Sequence, residues 1–223
     1  MTSTDVRAAE TTGAPSDGRR PAWHLLLAGA VALLALVAGL VLGRSTAGGV
    51  ERVVDPVDVG FAQDMKVHHA QAVEMSAVLH RRSTDPGVQA LALDVMTTQQ
   101  GQIGIMSGWL DLWGHTQTTA GPMMAWMGHD GGMPGMASAE EIAALETLPA
   151  GELEEEFLRL MVRHHLGAVP MAAFAADRAT SPDLARLAGG MESGQAAEID
   201  LMQAMLVERG HDPEPVADHG THG

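Results

Sequence analysis

Residues 61–75 read FAQDMKVHHAQAVEM, and residues 157–171 read FLRLMVRHHLGAVPM. Phe61, Met65, His68, His69, Ala72, Val73 and Met75 recur as Phe157, Met161, His164, His165, Ala168, Val169 and Met171, at a constant offset of 96. The same register holds outside the motif. Pro86 is matched by Pro182, Leu91 by Leu187, Gln99 by Gln195, Ile103 by Ile199 and Met106 by Met202, and the pair Gly114-His115 by Gly210-His211. One register kept over roughly fifty residues is the signature of an internal duplication.

Each copy reads as a helical hairpin. In the first, one helix runs from about Pro56 to Arg82 and a second from about Pro86 to Trp113. Asp85-Pro86 and Ser181-Pro182 each set a side-chain cap before a proline at the first helical position. Gly114 and Gly210 supply the stops. The predicted fold is therefore all-α: a four-helix bundle made of hairpins over 56–115 and 140–211, the simplest closed packing for two such units. A Met/Gly-rich linker, 116–139, joins them, and Ser138 followed by Glu141 reads as a capping box that opens a short helix.

Composition agrees with this class. Apolar residues make up 46% of the 223, but aromatics only 3%, so Ala, Leu, Val and Met must build the core, a palette suited to helices. The formal charge of −15 excludes a nucleic-acid partner, which demands a basic surface. Cysteine is absent, which removes disulfides, thiolate metal sites and thiol nucleophiles together. The remaining soft or borderline ligands are 15 Met and 11 His, donors that suit copper better than magnesium or calcium.

Ahead of the hairpins, residues 25–42 form an uncharged apolar run, LLLAGAVALLALVAGLVL, long enough as a helix to span about 27 Å of hydrocarbon. Arg7, Arg19 and Arg20 precede it and Trp23 marks an interface, so 1–22 reads as a disordered cytoplasmic tail and 23–43 as a single-pass anchor. The remainder is expected outside the cytoplasm, attached to the cell membrane. The alternative is a secreted protein, since Ser45, Thr46 and Ala47 resemble a signal-cleavage site. The segment 212–223 reads as a polar, His-containing tail.

Met65, His68, Ala72 and Met75 are spaced three, four and three apart, hence one helical seam, with His69 on its flank. Met161, His164, Ala168 and Met171 repeat the seam, with His165 beside it. These eight Met and His positions are the first candidate metal ligands. The bland alternative has each histidine buried and hydrogen-bonded to Gln99, Gln195 or a carbonyl. A second candidate group lies in the linker, where Met124, Met127, His129, Met133 and Met136 offer closely spaced thioethers and an imidazole suited to Cu(I). There the alternative is a flexible apolar lid over the bundle end.

The pattern F-x3-M-x2-H-H-x-[QG]-A-V-x-M, followed by a helix carrying Q-x3-I-x2-M, resembles the bacterial family called domain of unknown function 305, over most of 57–211. The resemblance implies a ferritin-like fold, copper association outside the cytoplasm for some members, and His68, His69, His164 and His165 as hallmark positions with Met65, Met75, Met161 and Met171 beside them. One departure is Pro170, which stands where the first copy has Glu74; inside a helix it removes a backbone donor and favours a kink.

Three functions follow as expectations. The first is a membrane-anchored copper-binding protein for capture, buffering or tolerance, with a metal ion and the membrane as partners and no protein partner indicated. The second is a structural or interaction bundle without metal. The third, a ferritin-like di-metal oxidase, needs Glu-x-x-His on paired helices. Neither His-His segment carries that motif, since Met65, Lys66, Met161 and Val162 stand three residues before the four histidines, and Asp64, near His68, has Leu160 as its counterpart. The protein is therefore expected not to be an enzyme.

Overall fold

Asp-Pro and Ser-Pro pairs set three of the four long helices. Asp55 accepts a hydrogen bond from the Val57 amide and opens α1, Pro56–Arg82. Asp85 accepts from the Gly87 and Val88 amides and opens α2, Pro86–Trp113, which ends where Gly114 turns left-handed at φ 74°. A short α3, Ala139–Leu145, begins with the Ser138–Glu141 capping box. Then come α4, Ala150–Arg178, and α5, Pro182–Glu208, the latter capped by the Ser181 hydroxyl. The structure, a computed structural model, describes residues 54–129 and 131–213.

All regular structure among the described residues is helical. Helix α1 packs on α2 and α4 on α5, giving two hairpins whose main mutual contact is α1 against α4. Helix α4 continues through Pro170 to Arg178, so the proline does not end it. The expected tail 1–22, the anchor 23–43 and nearly all of the segment 212–223 lie outside the described residues. Among the described residues no helix is long and apolar enough to cross a membrane.

The two turns are closed crosswise. Glu154, at the start of α4, accepts from the Ser83 hydroxyl at 2.6 Å and from the Thr84 and Asp85 amides at 2.9 and 3.0 Å, where α1 turns into α2. Asp58, at the start of α1, accepts from the Thr180 amide and hydroxyl at 3.1 and 2.5 Å and from the Ser181 amide at 3.0 Å, where α4 turns into α5. Both carboxylates are buried. Each hairpin thus supplies the acid that ties down the other's turn.

The apolar core falls into two clusters. One collects Met75 and Leu79 of α1, Val88 and Val95 of α2, Phe157 and Met161 of α4, and Ile199 and Met202 of α5. The other collects Phe61 and Met65 of α1, Met106 and Leu110 of α2, Met171 of α4, and Leu184 and Met191 of α5. On every long helix two polar residues lie between these two sets: His68 and His69, Gln99 and Gln102, His164 and His165, Gln195 and Glu198. A polar layer therefore crosses the middle of the bundle.

Candidate metal centre

This layer brings the four predicted histidines together. All four are fully buried. The rings of His68 and His164, on the two central helices, lie 3.8 Å apart between centroids, and those of His164 and His165 6.0 Å apart. Each ring engages a partner through Nε2. His68 donates to the Pro134 carbonyl at 3.0 Å and His164 to the His68 carbonyl at 3.0 Å. His69 meets Gln102 Oε1 at 2.7 Å, and His165 meets Glu198 Oε2 at 2.6 Å.

With the Nε2 proton committed to an oxygen, each neutral ring carries its lone pair on Nδ1. All four Nδ1 atoms are buried and have no hydrogen-bond partner. The amide oxygen and nitrogen of Gln99 and Gln195 are buried and unpartnered as well. Of the alternative that pairs each histidine with Gln99, Gln195 or a carbonyl, the carbonyl part holds for His68 and His164, and the glutamine part is corrected. Gln102 and Glu198, one turn further along, take that place for His69 and His165. Leaving one buried polar group unmet costs about 1–3 kcal/mol, and eight such atoms rival a whole domain's stability of about 5–15 kcal/mol. The layer is a set of donors that the protein itself does not satisfy.

Burial also keeps His68, His69 and His164 neutral. Loss of water pushes His68 down to about 4, against a partial restoring effect of its bond to Pro134 and a further lowering by His165. His69 is pushed down to about 3, by burial first and by His68 next. His164 lies well below the usual range, again through burial and then through its histidine neighbours. The unfolded chain takes up protons near pH 6.5, whereas His68 does not until about 4 and His69 not until about 3, with His164 lowered in the same direction. Their contribution to stability is thus complete above about pH 6.5 and lost as the pH falls toward 4 and 3. Urea unfolding of the metal-free protein should show a loss of several kcal/mol between pH 7 and 4. A flat profile there would mean the rings are not buried neutral.

The predicted thioethers are placed differently. Met65, Met75, Met161 and Met171 are fully buried, but they pack among apolar side chains: Met75 with Met161 in one cluster, Met65 with Met171 in the other. Of the linker residues, Met124 and Met133 belong to the second cluster, Met127 and Met136 pack against it, and His129 is exposed. Met124, Met127 and His129 line a cavity of about 400 Å³ together with Pro170 and Met171. Among the described residues no three His, Asp or Glu side chains are clustered as a ready chelate, so an ion here would draw on imidazole nitrogens with amide or thioether donors.

The linker is docked, not loose. Asp64 accepts from the Met124 amide at 2.7 Å and from Trp126 Nε1 at 2.9 Å, holding Met124 in a left-handed conformation at φ 66°. Gln71 pairs both ways with the backbone of Ala137, at 2.9 and 2.6 Å. Trp126 lies over Gly60, where a Cβ would meet the indole at 2.5 Å. These contacts carry the Pro134 carbonyl to His68.

The sequence profile that matches the chain is "Domain of unknown function (DUF305)", over residues 58–206. Among solved structures, a DUF305 protein from Streptomyces coelicolor, a candidate secreted protein, is 45% identical. The match covers 71% of this chain and 97% of that one, with a TM-score of 0.69. A DUF305 fragment from Deinococcus radiodurans is 39% identical over 70% of this chain and 98% of its own, with a TM-score of 0.60. CopM, solved in a Cu(I)-bound form, is 24% identical and matches 68% of this chain and 96% of its own with a TM-score of 0.52, a likeness of fold. No curated protein matches the chain.

Proposed function

The chain belongs to the DUF305 family, and on that footing we propose that its bundle binds copper through the buried histidine layer. One observation carries the reading: four neighbouring imidazoles, each fixed through Nε2, present four unpartnered Nδ1 lone pairs in the interior. A pre-set tautomer with the far N–H hydrogen-bonded is how protein imidazoles are prepared for metals. Neutral nitrogens with thioethers nearby in sequence favour copper over harder ions. The linker cavity lined by Met124, Met127, His129 and Met171 is a second, more accessible point of capture. Structures of CopM in Cu(I)-, Cu(II)- and Ag-bound forms support the reading, since that protein shares the fold.

In this reading the protein is a binder and not an enzyme. It works outside the cytoplasm, tethered through 23–43, to capture or buffer the ion. Competition titration with Cu(I) and Cu(II) is the test. Wild type should bind, and the variant carrying His69→Ala with His165→Ala should bind more than about 100-fold more weakly, at least about 2.8 kcal/mol. Equal, weak binding by a folded variant and wild type would remove the layer as the site. A second reading, a bundle without metal, is favoured by the apolar packing of Met65, Met75, Met161 and Met171, and predicts that outcome.

A further inference from the structure

The duplicated layer is not symmetric. Three of its rings donate Nε2–H to neutral oxygens: the Pro134 carbonyl, the His68 carbonyl and the Gln102 amide. The fourth, His165, bonds at 2.6 Å to the Glu198 carboxylate, the only carboxylate on any of the four rings among the described residues. Gln102 and Glu198 are equivalent, at the same offset of 96. The two copies thus hold the matching histidine with a neutral group in one and an anion in the other.

That difference has a chemical consequence. A carboxylate accepting the far N–H of a metal-bound imidazole draws the proton toward itself, and Nδ1 becomes a stronger donor. The His165 side chain is fully buried and that of Glu198 is 20% exposed, so the negative charge acts across a poorly screened medium. Both effects stabilise a doubly charged ion more than a singly charged one. The Gln102 amide supplies neither.

We propose that Glu198 is a positioning residue that sets the oxidation-state preference of the second half: the His164–His165 side favours Cu(II), and the His68–His69 side, held by Gln102, favours Cu(I). The assignment rests on the copper reading above and sharpens it. It makes the duplication a pair of unlike sites.

The experiment compares the full chain with its Glu198→Gln and Gln102→Glu variants, titrated with Cu(I) and with Cu(II) against chelators for each. Glu198→Gln should weaken Cu(II) binding about 10–100-fold and leave Cu(I) nearly unchanged. That ratio corresponds to a rise of about 59–118 mV in the potential of the bound copper, at about 59 mV per tenfold. Gln102→Glu should shift the ratio the other way, and the nitrogen hyperfine pattern of bound Cu(II) should change in both variants. Equal changes for the two oxidation states, as a merely structural role would give, or no change at all, overturn the proposal. Wild type binding no copper overturns it together with the underlying reading, whereas copper binding with an unchanged ratio overturns it alone. Should Glu198→Gln not fold, Gln102→Glu in the other half decides by itself.

Discussion

Asp58→Ala is expected to destabilise the protein by about 3–5 kcal/mol, enough to unfold much of it at 37 °C. The fully buried carboxylate receives the Thr180 amide and hydroxyl, the Ser181 amide and, at 3.3 Å, the amide of Asp55. Hydrogen bonds to a charged acceptor contribute about 1.5–3 kcal/mol each, and alanine leaves the donors stranded at the turn. Glu154→Ala should cost nearly as much, because it strands the Ser83, Thr84 and Asp85 donors. Asp58→Asn, which keeps one acceptor, should cost less than Asp58→Ala. Urea unfolding monitored by circular dichroism measures all three. Losses within about 1 kcal/mol for both alanine variants would show that the crosswise bonds contribute little.

Gly167→Ala should be comparably damaging, by a different route. A Cβ on Gly167 would fall inside the Pro134 carbonyl group, and both partners are backbone atoms that cannot rotate away. Gly135, beside it, is left-handed at φ 79°, and a Cβ there would meet the Arg163 carbonyl at 2.5 Å. Forcing atoms into a packed contact costs about 1–3 kcal/mol, and lifting the linker also strips His68 of its acceptor, a further cost of about 1–3 kcal/mol. Besides the lower stability, the fluorescence of Trp126, packed edge-on against Phe61 and Phe174, should shift as the linker leaves the bundle. An unchanged spectrum and midpoint would mean that the linker is not held at Gly167.

Much of this was readable from residues. The offset of 96 and the Asp-Pro, Ser-Pro and Gly punctuation place four long helices, because capping is a local property of the chain. The seam through Met65, His68 and Met75 is buried as its spacing implies. The partners of the histidines were not readable by identity. Gln102 and Glu198 occupy equivalent positions but differ in type, as do Asp58 and Glu154, so a search for identical pairs passes over them. The offset alone would have paired both sets. Gln99 and Gln195, identical and therefore conspicuous, are the residues left without hydrogen bonds. The docking of the linker was out of reach for another reason. It depends on a carbonyl fitting against a glycine 33 positions away, and no local pattern encodes that meeting.

The crosswise acids carry an implication for descent. A lone hairpin bearing an acid at that place could not close its own turn, since the carboxylate serves the other copy's turn. Two separate copies could satisfy each other only as a two-fold dimer. The fused chain reproduces that exchange within one molecule. Once both copies sit in one gene, their middles are freed from symmetry, and one can keep an amide where the other carries an acid.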